Sequence, residues 1–283
     1  MVAIAMDAES SLRAGAPYEA LQALQEQVRA HPADPKLRIF LFQLLCVLGE
    51  WERALKQLDL AATLDPSALA MAQTYREGIL CELLRAQVFA GQKSPMIFGQ
   101  PEGWLALLIE ALLREGRGEH EAGRKLREEA FEQAPATSGV IDGQPFEWIT
   151  DADMRLGPVL EAVVNGRYYW IPFSHLTRVA IEAPADLRDC VWMPAHLLFE
   201  NGGEAVALLP TRYPGSESAD DGLINLARKT IWDEPRPGFY RGLGQRILST
   251  NGAEIGLMDI RDIRLGATTA DAAEAAESAA GTA

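Results

Sequence analysis

The chain has 283 residues, 48% of them hydrophobic, which is enough for two domains with buried cores and excludes a disordered protein. Acidic residues number 40 against 26 basic ones, and the resulting formal charge of -14 disfavours nucleic acid and anionic membranes as partners. Residues 1–10 lack a secretory pattern, and the longest apolar run, 39–48, is too short to span a bilayer. We therefore expect a soluble, cytoplasmic protein.

The cysteine pattern argues against a disulfide framework and against a zinc site. Cys46, Cys81 and Cys190 form no CxxC pair, and each lies within an apolar stretch. Cysteine in such a setting usually acts as a small buried hydrophobic residue. We expect no metal and no cofactor.

Two segments near the start repeat with a period of 34 residues. Residues 15–32 read GAPYEALQALQEQVRAHP and residues 49–66 read GEWERALKQLDLAATLDP, with glycine, alanine, leucine and proline at matching places. This is the period of tetratricopeptide repeats, and residues 118–135 form a degenerate third copy. Residues 1–137 are therefore predicted to form an all-α, tetratricopeptide-like domain whose groove could hold a peptide or helix.

After a stretch rich in Pro, Gly and Ser, the hydrophobic pattern changes from helical to alternating, which places a domain boundary near Ser138. Asn-Gly pairs at 165–166, 201–202 and 251–252 separate apolar runs. Two adjacent residues with positive φ suit the primed turns that close β-hairpins. Residues 138–265 are predicted to form a mainly antiparallel β domain, which makes the chain an α+β protein.

One helix is expected to interrupt these strands. Ser218 or Asp220 would cap it, and one side would carry the apolar residues Leu223, Leu226, Ala227 and Ile231. The segment 266–283 is rich in alanine and has no large apolar residue to bury, so it is predicted to be disordered.

The stretch 146–173, FEWITDADMRLGPVLEAVVNGRYYWIPF, contains the residues most suggestive of chemistry. In an extended chain Asp151, Asp153 and Arg155 would share one face at intervals of roughly 7 Å. Catalysis by paired carboxylates needs contrasting environments around a cleft, and a metal site needs more ligands than two aspartates. The alternative is an aspartate-rich turn that Arg155 holds in place at the entry to a hairpin.

The aromatic run in this stretch and the histidines leave two further alternatives open. Tyr168 and Trp170 alternate along the chain with their neighbours, so one pair of side chains should face the core while the other reaches the surface, unless both are buried. A nucleophile with His175 or His196 as its base stays an alternative. However, the sequence has no GxSxG turn, no HExxH motif and no glycine-rich phosphate loop.

Four strings in this order, FEWITDADMRLGPVLEAVVNGRYYWIPF, PADLRDCVWMPA, LLPTRYPGSE and LARKTIW, resemble the ImpE family, also called TagJ or SciE. Its members are accessory proteins of type VI secretion systems. The resemblance begins in the helical part and extends to about Leu265. It implies a non-enzymatic cytoplasmic protein that associates with the small subunit of the contractile sheath and with the ClpV-type AAA+ unfoldase.

Residues at the family's motif positions are the candidates for partner binding. They are Asp151, Asp153, Arg155, Tyr168, Trp170, Arg188, Asp189, Trp192, Arg212, Tyr213 and Trp232.

The leading hypothesis is an adaptor that holds a sheath-subunit helix, with the groove of the helical domain as one place for it. The runner-up is a generic acidic tetratricopeptide adaptor or chaperone of another bacterial assembly. An enzyme that uses His175 or His196 is the third hypothesis. A homo-oligomer is also open, because an exposed aromatic edge could pair with its own copy about a twofold axis.

Overall fold

A computed structural model describes residues 7–266 of the chain. The segment that we predicted to be disordered, 266–283, lies outside the described residues except for Gly266. Within the described range, none of the helices combines the length and the apolar character needed to cross a membrane.

The first part of the described chain consists of helices joined by short turns. They are α1 (Ala8–Arg13), α2 (Pro17–Ala30), α3 (Pro35–Val47), α4 (Trp51–Leu64), α5 (Leu69–Phe89), α6 (Gly103–Gly116) and α7 (His120–Gln133). The Asp34 side chain accepts hydrogen bonds from the first turn of α3, and Gly15 and Gly49 adopt φ of 79° and 68° in turns between helices. The predicted tetratricopeptide-like helices are confirmed.

The rest of the chain is mainly strands. They are β1 (Met96–Ile97), β2 (Gly139–Ile141), β3 (Gln144–Phe146), β4 (Ile149–Asp151), β5 (Val159–Val164), β6 (Arg167–Pro172), β7 (Leu176–Ile181), β8 (Trp192–Phe199), β9 (Glu204–Pro210), β10 (Thr230–Arg236), β11 (Phe239–Gly244), β12 (Ile247–Thr250), β13 (Glu254–Gly256) and β14 (Asp262–Leu265). A nine-stranded sheet has the order β1-β6-β5-β9-β8-β7-β14-β2-β3, in which β1 pairs with β6 in parallel and the other neighbours are antiparallel.

Two smaller sheets complete the strand region. Strands β10 and β11 form an antiparallel ribbon, and β13, β12 and β4 form a three-stranded sheet. The mainly antiparallel fold that we predicted is therefore confirmed, and so is its α+β class.

The three Asn-Gly pairs behave differently from one another. Asn165 and Gly166 have φ of 49° and 69° and join β5 to β6, as predicted for a primed turn. In the loop between β8 and β9 only Gly202 has positive φ, and in the loop between β12 and β13 neither residue of the pair does. The hairpins are present, but the primed-turn prediction was wrong for these two pairs, because longer loops close them.

The predicted helix around 218–231 is a single turn. Helix α8 (Gly222–Asn225) is capped by Asp221 rather than by Ser218 or Asp220. It ends where Ala227 takes a left-handed φ of 54°, and Ile231 lies in β10 opposite Leu243. The apolar residues that suggested a longer helix therefore belong to two different elements.

Apolar clusters lie on both faces of the large sheet around β5 and β6. Tyr168 and Trp170 pack in a cluster with residues of the helices, whereas Ile171 belongs to a second cluster on the opposite side of the sheet. Tyr169 is half-buried and its ring packs edge-on against Phe98. The alternative in which both pairs of side chains are buried therefore describes β6. Since helices and sheet share a cluster, the division of the chain near Ser138 stays a prediction.

Helices α3 and α5 turn one face toward the sheet region. Leu41 to Val47 are all buried in succession on α3, and Gly78 on α5 is so close to the sheet that an added Cβ would lie 3.6 Å from the Trp192 ring. The face of α5 is thus covered by the sheet, and α3 packs against the short turn Leu187–Cys190 that precedes β8. Docking of a partner helix against them, which the sequence suggested, is not available in this structure.

Candidate docking groove and the buried network behind it

A buried ion pair joins the helices to the sheet. Arg85 on α5 donates to both carboxylate oxygens of Glu161 on β5, at 2.6 and 3.0 Å, and to the backbone oxygen of Arg212 at 2.8 Å. The Tyr168 hydroxyl also donates to Glu161 and accepts from the Trp170 indole at 2.7 Å. Burial raises the pKa of Tyr168 well above its usual value, so the hydroxyl keeps its proton as a donor.

The same network extends from Glu161 toward the small three-stranded sheet. Arg246, which is fully buried, contacts Glu161 on one side and places its Nε 3.3 Å from an oxygen of Asp151. The Tyr213 hydroxyl donates to the other oxygen of Asp151 at 3.0 Å. Burial raises the pKa of Asp151 to about 7 and lowers the pKa of Arg246 to about 10. Ionisable side chains from α5, β4, β5 and the segment before β12 therefore meet in one buried network.

Asp153 and Arg155 form a turn rather than one face of an extended strand. One oxygen of Asp153 accepts from the Arg155 backbone and guanidinium at 2.9 and 2.8 Å, and the other accepts from the Gly242 backbone at 2.9 Å. The Asp153 backbone donates to Asp151 at 2.8 Å. The geometry matches the aspartate-rich turn, and its carboxylates are engaged in holding the chain together.

Arg188 and Asp189 stabilise a short 3-10 turn that packs against α3. The Asp189 carboxylate accepts from the backbone of Ala185 and Asp186 at 2.7 Å each, which closes a capping box. The Arg188 guanidinium lies 4.7 Å from the centre of the Tyr75 ring on α5 and pairs with Asp186. Asp189 therefore stabilises the turn itself, and Arg188 attaches it to α5.

Trp192 and Arg212 make further contacts between sheet and helices. The buried Trp192 indole donates to Glu82 on α5 at 3.1 Å and packs against Trp51. Arg212 donates to the backbone oxygen of Val47 at 2.7 Å, at the end of α3, where carbonyls lack helical partners. A cation in this position stabilises the end of the helix.

An open apolar groove of about 650 Å³ lies beside this network. It runs between the end of α7, the three-stranded sheet and the β10–β11 ribbon, and its walls include Phe131, Pro135, Trp148, Met154, Trp232 and Tyr240. Three of these aromatic side chains are exposed, namely Trp148 (37%), Trp232 (39%) and Tyr240 (43%). Large aromatic residues that stay exposed around a concave surface are typical of protein-binding sites.

The backbone fixes both the floor and one wall of the groove. Thr150, Ser249 and Glu254 are direct neighbours across β4, β12 and β13, and all three line the groove, so they form a polar row along its floor. Gly157 adopts a φ of 57° and lies against the Phe131 ring. Only glycine adopts this conformation readily, and a side chain here would displace the ring.

The structure brings most of the predicted motif residues into the buried network and leaves one in the groove with its ring exposed. Asp151, Asp153, Tyr168, Trp170, Asp189, Trp192, Arg212 and Tyr213 are buried, Arg155 and Arg188 are largely buried, and Trp232 is exposed. Asp151 also lines the groove. A role of these residues in partner binding stays a prediction.

Sequence analysis missed Trp148 and Tyr240 in the groove and Arg85 and Arg246 in the network. A usable signal was present: Trp148 and Tyr240 each adjoin a charged residue in a strand region, while Arg85 interrupts the apolar run LLRAQVF. A single charge within an apolar run indicates a buried pair.

The histidines and cysteines are accounted for by local contacts. His175 contacts Glu102 through Nε2 at 2.6 Å and the backbone oxygen of Phe98 through Nδ1 at 3.2 Å, so it fastens the loop before α6 to the sheet. His196 is exposed on β8. Cys46, Cys81 and Cys190 are buried thiols, and burial raises the pKa of Cys81 to about 12. Among residues 7–266, no group of three or more His, Cys, Asp or Glu side chains is arranged to hold a metal ion.

Two family models match the chain. The model described as ImpE protein covers residues 143–264, and a tetratricopeptide repeat model covers residues 11–74. The first range contains the three exposed aromatic residues of the groove, and the second contains the 34-residue period.

A curated relative and a solved structure match over nearly the whole chain. The type VI secretion system accessory component TagJ of Pseudomonas aeruginosa is 52% identical over 261 residues, which is 92% of this chain and 91% of that protein. The crystal structure of protein VPA1032 from Vibrio parahaemolyticus has a TM-score of 0.84 at 24% identity and covers 93% of this chain and 98% of that one, which shows a shared fold. The family match and the TagJ relative together show that this chain belongs to the ImpE family.

Proposed function

We propose that this protein is a cytoplasmic, non-enzymatic accessory adaptor of a type VI secretion system and that it acts by docking other proteins. The relative named TagJ, which is 52% identical over 92% of this chain, supports the secretion role. The tetratricopeptide match at residues 11–74 supports a role in protein interaction.

The observation that carries the docking mechanism is the open groove with Trp148, Trp232 and Tyr240 on its walls. Tyr and Trp are enriched at the energetic centres of interfaces because each buries a large area at small entropic cost. The faces of α3 and α5 that a helical array would offer are covered by the turn Leu187–Cys190 and by the sheet, respectively. The groove is therefore our choice for the docking site.

The partner that we propose for the groove is a helix of the small subunit of the contractile sheath. Helix-in-groove binding uses apolar side chains at positions i, i+3, i+4 and i+7, and a concave surface with apolar walls suits such a stripe. A second contact, with the ClpV-type AAA+ unfoldase, would place this protein between the sheath and the machine that recycles it.

Titration calorimetry of the full chain with a peptide from the N-terminal helix of the cognate sheath small subunit tests this function. We expect saturable binding to the native peptide, none to a scrambled one, and a loss of at least about 30-fold for Trp232→Ala, since aromatic anchors contribute about 2 kcal/mol or more. Tyr18→Ala is the control, because Tyr18 is an exposed aromatic residue (51%) on α2 that does not line the groove.

Two results would contradict the proposal. A folded protein that binds neither the peptide nor the intact sheath subunit would remove the sheath as partner, and an unbiased pull-down that recovers another bacterial assembly would favour the generic adaptor. The unfoldase contact is tested by adding purified ClpV with and without the sheath subunit. Capture of ClpV only through the sheath subunit would exclude a direct contact.

A further inference from the structure

The groove has an uncompensated negative charge. Sixteen residues line it, all of them within the described range, and none is Lys, Arg or His. Glu254 lies at the end of its polar floor, is exposed, and forms no ion pair with any residue from 7 to 266. A carboxylate in the same groove as exposed indole and phenol rings favours a cation, because both the charge and the faces of the rings attract it.

The arginines of the surrounding elements do not serve Glu254. Arg155 pairs with Asp153, Arg241 with Asp233, and Arg236 with Glu115. These pairs leave the groove with an acidic floor, and the formal charge of -14 for the whole chain adds to the attraction for a basic partner.

We propose that the groove takes a basic amphipathic segment of a partner protein, in which apolar residues pack between the aromatic walls and a Lys or Arg reaches Glu254. This inference rests on the proposed docking function and adds the chemistry of the partner's segment. Apolar contact provides most of the affinity, while the cation determines how the segment is oriented.

The chain's own C-terminal segment is the main competitor for the groove. The backbone of Gly266 donates to Ser138 at 2.9 Å, and Ser138 is two residues from Ala136, which lines the groove. Gly266, the last described residue, therefore lies near the groove, but the residues that follow it, 267–283, contain Asp271, Glu274 and Glu277 and neither Lys nor Arg. Like charges oppose binding beside Glu254, so the charge of the groove favours a separate, basic partner.

The test uses the full chain and two synthetic peptides of 14 residues with leucine at helical spacing. The peptides differ only in carrying Lys or Glu beside the leucines. We expect the Lys peptide to bind at least about tenfold more tightly than the Glu peptide, with an affinity that falls as salt is added.

Two charge reversals locate the effect on the protein. Glu254→Lys should weaken binding of the Lys peptide by about tenfold and restore binding of the Glu peptide. Glu200→Lys, a change of the same size at an exposed loop residue between β8 and β9, should alter either affinity by less than about twofold. Thermal unfolding confirms that both variants are folded.

Three outcomes overturn the inference. These are equal binding of the two peptides, equal weakening by both reversals, and binding that appears only in a variant ending at Gly266, which would make the C-terminal segment the occupant.

The sheath peptide separates this inference from the proposed function. If that peptide binds and Trp232→Ala weakens it while Glu254→Lys has no effect, the docking function stands and the basic segment is wrong. If the Lys peptide behaves as expected and the sheath peptide does not bind, the groove takes a basic segment and the sheath subunit is not its source.

Discussion

The buried network and the open groove share Asp151, yet they treat polar and aromatic side chains in opposite ways. In the network, Trp170, Trp192 and Tyr213 are buried and each indole or hydroxyl has a hydrogen-bond partner. In the groove, Trp148 and Trp232 keep more than a third of their surface in solvent. Burial and hydrogen bonding therefore assign the first set of aromatic residues to the fold, whereas the second set keeps part of its surface in solvent.

Charge shows the same contrast. Arg85, Glu161 and Arg246 are enclosed together, so removal of any one leaves an uncompensated charge in the protein interior. Glu254 in the groove is hydrated, so its loss costs the isolated protein little. Substitutions in the network should therefore act on stability, and substitutions in the groove should act on binding.

The largest effect on stability is expected from Arg85→Ala. It strips Glu161 of a bidentate partner in a buried site, and loss of one member of a buried pair typically costs about 3–5 kcal/mol. Urea unfolding followed by circular dichroism measures this. Arg76→Ala is the matched control, because it breaks an exposed pair with Asp59 and should cost less than about 1 kcal/mol. Equal losses for the two variants would show that the network is not what joins helices and sheet.

Asp151→Asn should change how stability depends on pH. Because burial raises the pKa of Asp151 to about 7, the folded protein keeps a proton that the unfolded chain releases above about pH 4. Between pH 4 and 7 this group makes stability fall as pH rises, by at most about 1.4 kcal/mol per unit, and the effect levels off above pH 7. Asparagine does not titrate. The unfolding free energy of Asp151→Asn minus that of the native protein should therefore increase as pH rises from 4 to 7.

Urea titrations at several pH values measure that difference. Asp65→Asn is the control, because Asp65 caps a helical turn at the surface and the hydrogen bonds from Ser67 lower its pKa. Because folding lowers its pKa, ionised Asp65 stabilises the folded protein, and this stabilisation is lost only as pH falls toward acid values. A flat difference for Asp151→Asn between pH 4 and 7 would show that this carboxyl is ionised throughout.

Gly157→Ala should affect the network and the groove together, at an intermediate cost. The backbone has a φ of 57°, and an added Cβ would lie 2.4 Å from a carbon of the Phe131 ring, so both strain and displacement of the ring are expected. We expect a loss of about 2–3 kcal/mol in unfolding free energy and weaker peptide binding. Gly143→Ala isolates the strain, because Gly143 has a φ of 83° with nothing within 4 Å of the added carbon. Identical losses would mean that the ring moves aside freely.

The smallest effect on stability is expected from Trp148→Ala. Since 37% of the residue is already exposed, the unfolding free energy should fall by only about 1–2 kcal/mol, whereas binding of the sheath peptide should weaken by at least about tenfold. Thermal unfolding and calorimetry on the same sample measure both. A large loss of stability with unchanged binding would place Trp148 with the buried network instead.

Local sequence patterns predicted the elements that depend on nearby residues. The 34-residue period predicted stacked helices, and Asn165-Gly166 predicted the turn between β5 and β6. Patterns of this kind failed where two elements meet, as at Ala227, where an apolar spacing typical of a helix spans the end of α8 and the start of β10. Periodicity reports which face of an element is buried and does not report where that element ends.

Contacts between distant residues were out of reach of that analysis. Arg85 and Glu161 are 76 positions apart, and Gly242 donates to Asp153 from 89 positions away. No spacing rule links such residues, so the aspartates read as candidates for a surface although they are buried. The groove was missed for the same reason, since α7, the small sheet and the ribbon meet there only after the chain has folded.

Through β1, the helical region contributes an edge strand to the nine-stranded sheet and is not merely connected to it by a linker. Met96 and Ile97, which lie between α5 and α6, pair in parallel with Tyr169 and Trp170 at one edge of the nine-stranded sheet, while Arg85 pairs with Glu161 nearby in the same sheet. A protease that cut the backbone between α7 and β2 would therefore leave two fragments that stay bound to each other. The helical region and the strand region would also have to be inherited together. A helical region from a distant relative would need to supply both the edge strand β1 and the buried cation of Arg85.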